Sequence, residues 1–244
     1  MTDAENRIGL ETLDQHRDRF IDSFAHALRN QIAAIGGYAD LIEGSGSLNE
    51  DQQLFLKRVQ SGVERLNHML PSLIDLAWLE AEIPFPEQHL ALDQLVAGVS
   101  ASLEIQAGLK GIRITISIAE PPPLIPGDAT RLKQALTEII RNALCYSPSD
   151  SSVTIKLWRD QKTICCSVAD QGIGISALDQ ELVFDRLFRS SDPRVRSVQG
   201  SGLGLTLANR IVRAHNGELK VASQLNQGSI FTISLPLNHD SLNR

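Results

Sequence analysis

Apolar residues recur every three or four positions through the first third of the chain. Phe20, Phe24, Leu28, Ile32, Ile35, Ala39 and Ile42 form one stripe, the spacing of a single face of an α-helix. The run Gly44-Ser45-Gly46-Ser47 interrupts it. A second stripe follows at Phe55, Val59, Val63, Leu66, Leu70, Leu73 and Ala77. Two long amphipathic helices joined by so short a loop fold back as an antiparallel hairpin. A lone hairpin leaves part of both stripes in water, so the pattern predicts a homodimer closing a four-helix bundle through these N-terminal helices. Residues 1–20 extend the first helix in this reading. Pro71 falls inside the second helix, where it removes the bond to the Asn67 carbonyl and predicts a kink.

At Glu82-Ile83-Pro84-Phe85-Pro86 the pattern changes, which divides the chain into a helical domain over 1–82 and a second domain over 83–244. The second domain reads as a helix over 92–109, a strand at Ile112–Ile118 and a Pro-rich turn at Pro121–Pro123. A helix over 128–146, strands Val153–Arg159 and Thr163–Ala169, and a helix starting near Gly202 come next. Strands Glu218–Ser223 and Ser229–Leu235 complete the set. This order predicts an α+β two-layer sandwich, with helices on one face of a mixed, mainly antiparallel sheet.

The 244 residues are enough for two ordinary domains. No apolar run approaches the roughly 18 residues that cross a bilayer, and the opening MTDAENRIG is too polar and acidic for a signal peptide. The chain therefore reads as cytoplasmic, without membrane insertion. It contains no recognisable input module, so an upstream sensor protein is the expected source of any signal. The net charge of −6 and the lack of a Lys/Arg block argue against nucleic acid as a partner. Cys145, Cys165 and Cys166 make no metal or redox spacing. The adjacent pair lies in an apolar strand, pointing to opposite faces, as buried inert thiols in a reducing compartment.

Four segments of the second domain carry candidate chemistry. Glu138-Ile139-Ile140-Arg141-Asn142-Ala143-Leu144-Cys145-Tyr146 lies on a predicted helix, and Glu138 and Asn142 share one face. Asp170-Gln171-Gly172-Ile173-Gly174-Ile175 follows a predicted strand, where a carboxylate can accept an amine and glycines let the backbone pass close to a ring. Val183-Phe184-Asp185-Arg186-Leu187-Phe188-Arg189 carries two aromatic anchors and leads into the basic residues Arg194 and Arg196. Gly200-Ser201-Gly202-Leu203-Gly204-Leu205 opens a helix with free backbone N–H groups, a ready anion site.

In this order, over roughly residues 88–237, the four segments resemble the ATP-binding boxes of the Bergerat fold. Histidine kinases, type II topoisomerases, mismatch-repair ATPases and heat-shock chaperone ATPases share that fold. The resemblance implies that ATP and Mg²⁺ are bound. Asn142 would be the metal ligand, Asp170 the adenine acceptor, and Tyr146, Gly172, Gly174, Arg189, Gly200, Gly202, Leu203 and Gly204 would complete the pocket. Glu138 stands where the ATPase branch places a general base and many kinases have Asn. Upstream, Phe24-Ala25-His26-Ala27-Leu28-Arg29-Asn30-Gln31-Ile32 resembles the H box of sensor histidine kinases. His26 lies on the far side of its helix from Phe24, facing solvent. By resemblance His26 is the phospho-acceptor, Asn30 orients water for dephosphorylation, and the final acceptor is an aspartate on a response-regulator receiver domain.

Three residues depart from the family pattern. Ala27 replaces the acidic neighbour of the histidine, Cys145 a Lys that contacts phosphate, and Gln31 the helix-kinking proline. The first two weaken kinase activity most directly, since general-base assistance is worth about 10²–10⁴ in rate. Three readings follow. One is a histidine kinase core, the second a degenerate kinase acting as an ATP-binding phosphatase or scaffold, and the third an ATPase clamp using Glu138, which leaves the H box unexplained.

Overall fold

Helix α1 covers residues 25–44 and α2 covers Glu50–Glu80. Their junction is set by a reciprocal cap. The Asn49 side chain accepts the N–H of Gln52 at 2.8 Å, and the Gln52 side chain accepts the N–H of Asn49 at 3.0 Å, which satisfies two orphan donors at the helix start. Gln60 Nε2 donates to Glu43 Oε2 at 2.9 Å. Farther from the loop, a Cβ at Gly36 would lie 3.4 Å from Val63 Cγ1. The two helices are thus an antiparallel hairpin. The computed structural model describes residues 25–80, 88–198 and 200–237, and the chain forms two compact units, Met1–Ile83 and Pro84–Arg244.

Within the first unit, Ala25, Ile32 and Ala39 of α1 and Leu56, Leu70 and Leu76 of α2 are buried. Ile35 and Ile42, and on α2 Phe55, Val59, Leu66 and Leu73, are exposed, although they belong to the same apolar stripes. The stripes are wider than one helix–helix seam. Residues 56, 63 and 70 form one line, and 59, 66 and 73 a second line about 60° around the helix. Phe20, Phe24 and the helical reading of residues 1–20 lie outside the described residues. Helix α2 continues through Pro71 to its end although the ring removes the donor for the Asn67 carbonyl, at a residue that is exposed.

In the second unit the elements are β1 (Gln88–Leu90), α3 (Leu92–Ser102), α4 (Glu104–Leu109), β2 (Arg113–Ile118), β3 (Ile125–Gly127) and α5 (Ala129–Tyr146). They continue with β4 (Ser152–Asp160), β5 (Thr163–Ala169), α6 (Ala177–Leu182), α7 (Pro193–Ser197), α8 (Gly204–Ala214), β6 (Glu218–Gln224) and β7 (Gly228–Pro236). The main sheet has the order β2-β4-β5-β7-β6, with β2 and β4 parallel and the other pairs antiparallel. One face is a buried lattice of alternate residues, including Ile155, Leu157, Ile164, Cys166, Val168 and Ile233. Against it pack α3, α5 and α8, which bury Val96, Leu136, Ile140 and Leu207. The sandwich and its mixed sheet agree with the pattern in the sequence. Cys165 and Cys166 point to opposite faces and are both buried, and burial beside Cys165 pushes the Cys166 thiol up to about 12.

The reading of one helix over 92–109 needs correction, because Leu103 separates two. Its N–H is shared between the carbonyls of Val99 and Ser100, while the Ser102 hydroxyl donates to Val99 O at 2.7 Å, a local competition that bends helices. The short pieces β1, β3, α6 and α7 hold three to six residues each, too few for a periodic signal.

Helix α5, which carries the first candidate segment, is pinned at both ends. Asp128 Oδ1 accepts the N–H groups of Thr130 (2.8 Å) and Arg131 (3.0 Å), an N-cap. At the far end Lys110 Nζ donates to the carbonyls of Leu144 (3.0 Å), Cys145 (2.8 Å) and Ser147 (3.3 Å), the last-turn position a cation favours. Buried His215 ties α5 to α8. The Asp128 N–H donates to its Nε2 at 2.9 Å, so the proton sits on Nδ1, which donates to Ile211 O at 2.8 Å.

Candidate nucleotide-binding site

Asp170 stands just past β5, where its carboxylate can be reached both by the following turn and by β7. Oδ1 accepts the N–H of Gly172 at 2.8 Å and of Ser229 at 3.2 Å. Burial raises its pKa above the ordinary carboxylate value, against the lowering effect of those two N–H groups. Both bonds fall on Oδ1, and among the described residues none falls on Oδ2.

Around Asp170 the backbone is packed too closely for side chains. A Cβ at Gly172 would lie 2.7 Å from Tyr146 O, and the same carbonyl accepts the Ile173 N–H at 3.3 Å, joining the end of α5 to this turn. Gly174 (φ 68°) and Gly228 (φ 96°) adopt the left-handed region, and a Cβ on either would lie 2.0 Å from a carbonyl oxygen, that of Gln224 or of Asp170. Only glycine satisfies both demands. Ser223 completes the floor. Its hydroxyl accepts the Ile175 N–H at 2.8 Å, donates to Gly228 O at 2.8 Å and lies 2.9 Å from Ser229 Oγ. Gln180 Nε2 adds bonds of 3.0 Å to the carbonyls of Ile175 and Ser223. Sequence reasoning missed Ser223, Ser229 and Gln180. Ser223 and Ser229 lie about fifty residues or more from the turn they support, and no spacing marks any of the three.

On α5, Glu138 is buried, while Asn142 and Tyr146 are half-buried on the following turns of the same face. The Glu138 carboxylate reaches the first residue of α8, where a Cβ at Gly204 would lie 2.3 Å from Oε2. The same Oε2 accepts a charge-assisted bond from Arg141. The loop Gly200–Leu203 runs into α8, with Gly202 at φ 73° and Leu203 buried. The structure thus brings Asn142, Tyr146, Asp170, Gly172 and the Gly204 end of the loop around α5 and its two neighbouring turns.

The segment between α6 and α8 is a series of turns. Phe184 anchors it edge-on against Phe231, centroids 6.5 Å apart, and Thr206 Oγ1 holds Asp185 O at 2.9 Å. Arg189, read from the sequence as a phosphate ligand, is occupied otherwise in this structure. Its guanidinium donates to Gly200 O at 3.0 Å and to the carbonyls of Val195 and Val198, and it hydrogen-bonds Tyr146, whose pKa burial raises. Arg194 likewise pairs with Asp192 at 2.7 Å and donates to Asn226 Oδ1 at 2.8 Å. Cys145 Sγ lies 3.8 Å from Gln106 Nε2.

On α1, His26 and Asn30 are exposed one turn apart, and Ala27 is exposed between them. No described helix is long and apolar enough to cross a membrane.

Comparison with known proteins identifies both units. Residues 127–239 match the family described as Histidine kinase-, DNA gyrase B-, and HSP90-like ATPase, and residues 16–82 match the His Kinase A (phospho-acceptor) domain. The chain is 32% identical over 225 residues to the sensor-like histidine kinase SenX3 of Mycobacterium tuberculosis, covering 92% of this chain and 55% of SenX3. It is 28% identical over 222 residues to the phosphate regulon sensor protein PhoR of Pseudomonas aeruginosa, covering 90% and 50%. The chain therefore spans about half the length of these relatives. Among solved structures, full-length ShkA in complex with AMPPNP superposes with a TM-score of 0.69 at 25% identity, over 89% of this chain and 45% of ShkA. With a phospho-acceptor hairpin followed by an ATPase-type sandwich, the chain belongs to the sensor histidine kinase family.

Proposed function

We propose that residues 83–244 bind ATP with Mg²⁺ and that residues 1–82 carry the phosphoryl acceptor, His26. The observation that carries the reading is Asp170, held through one oxygen by Gly172 and Ser229 with the second oxygen free for the adenine amine. The glycine-lined floor accepts the ring, and the loop Gly200–Gly204 at the start of α8 offers N–H groups to the phosphates. Mg²⁺, when bound, neutralises triphosphate charge. Among the described residues no group of three His, Cys, Asp or Glu is placed to hold a metal. In this reading the ion is held by the Asn142 amide oxygen and ligand oxygens, the hard donors Mg²⁺ takes.

His26 Nε2 then attacks the γ-phosphorus as the bond to the ADP oxygen breaks, and the phosphohistidine passes its group to an aspartate of a receiver domain. Asn30 shares the His26 face and is placed to orient water for the reverse signal. The exposed lines Phe55, Val59, Leu66 and Leu73 on α2 and Ile35 and Ile42 on α1 are the surfaces through which two copies close a four-helix bundle. The core works on the cytoplasmic side, receiving its signal from a sensor.

The test is incubation with γ-labelled ATP and Mg²⁺ beside His26→Ala and Asn142→Ala. Acid-labile label on the wild type that is lost in both variants is the expected result. Nucleotide binding without label overturns the kinase reading.

A further inference from the structure

We infer that Arg141 supplies the triphosphate-binding charge that Cys145 does not. This rests on the nucleotide-site reading and goes one residue beyond it. Cys145 lies on α5 one turn after Arg141, so the two project along one edge of the same helix face. Three other cations near the site are committed elsewhere. Lys110 is consumed by the carbonyls at the end of α5, Arg189 by those of Val195, Val198 and Gly200, and Arg194 by Asp192 and Asn226. Arg141 has its side chain 47% exposed and, among the described residues, pairs only with Glu138 Oε2. That oxygen is the atom a Cβ at Gly204 would meet. The guanidinium therefore stands beside the first residue of α8, at the end of the pocket where the loop N–H groups receive phosphate.

The Glu138 carboxylate at this place opposes an incoming anion. Arg141 offsets that charge and still has further N–H donors for phosphate oxygens, since a guanidinium carries five in a planar fork. Glu138 thus acts as a positioning residue, holding the Arg141 fork at the phosphate end of the pocket.

The experiment measures binding of ATP, ADP and adenosine to the full chain by calorimetry. The variants are Arg141→Gln, the double variant Glu138→Gln/Arg141→Gln, and Arg141→Gln/Cys145→Lys. Arg141→Gln is expected to weaken ATP roughly tenfold, ADP less and adenosine not at all. The Cys145→Lys partner restores ATP affinity, and the Glu138→Gln partner does not. Recovery in the Glu138→Gln double variant would reduce Arg141 to a neutraliser of Glu138 and overturn the inference, as would equal losses for adenosine and ATP. If wild type binds adenosine and ATP but Arg141→Gln changes neither, the inference fails while the site stands. If the wild type binds no nucleotide, the site reading itself fails.

Discussion

Asp170 shows how one residue trades stability for recognition. Burial disfavours its ionised form, yet only that form keeps Oδ2 an acceptor while Oδ1 holds the two N–H groups. Its pKa is raised on folding, so the nucleotide-free fold gains stability as pH falls through that value, the reverse of a salt-bridged carboxylate. ATP affinity falls over the same window, which begins above the ordinary carboxylate pKa of about 3.9. Asp170→Asn is expected to leave the melting temperature of the free protein unchanged or higher and to lower ATP affinity about ten- to hundredfold. A variant that melts lower yet binds normally would contradict this. At Gly228 a methyl group would strike Asp170 O in a left-handed backbone, so Gly228→Ala should cost about 1–3 kcal/mol in chemical denaturation. Asp170, Gly172 and Gly174 were legible in the sequence because they sit within five residues of one another. Ser223 and Ser229 were not, because only the pairing of β7 with β5 brings Ser229 to Asp170, and that of β6 with β7 brings Ser223 to Ser229.

At the scale of elements, α5 is the part on which the site depends. Its C-terminal carbonyls are gathered by one ammonium group from the α4–β2 turn. Lys110→Met is expected to destabilise the second unit by about 1–3 kcal/mol and, by fraying the turn that holds Tyr146, to weaken ATP binding. Urea denaturation and calorimetry read the two effects. On α2, Leu66→Glu changes an exposed position and should shift copies toward monomer in sedimentation velocity with the helical content kept. Leu70→Ala, at a position only 5% exposed, should instead cost about 2–5 kcal/mol of hairpin stability. The long strands were legible to within about two residues because β2, β4 and β6 alternate apolar and polar residues and β5 is a short apolar run. The sequence pattern merged two lines of α2 into one stripe, since periodicity reports an apolar face but not how many neighbours divide it. The break at Leu103 left no Gly or Pro to announce it.

For the whole molecule, the order of the four segments was the informative signal, since each alone is a common turn or helix face. What the order did not reveal was the employment of the arginines, because a guanidinium that folds back on nearby carbonyls looks in sequence like one that awaits a ligand. If the second unit carries the complete pocket, residues 84–244 alone should bind ATP as tightly as the full chain. ATP at a hundred times its Kd should then stabilise that unit by about 2.7 kcal/mol, read as an upward shift in its melting transition. The chain also holds three thiols. Cys165 and Cys166 are buried in the central strand, and Cys145 is half-buried on α5, its sulfur 3.8 Å from Gln106 Nε2. A mild alkylating reagent should therefore add once, at Cys145. A nucleotide analogue carrying a thiol-selective electrophile on its terminal phosphate would then turn the reach from bound nucleotide to Cys145 into a covalent readout, bonding only if that thiol stands within a linker's length of the phosphates.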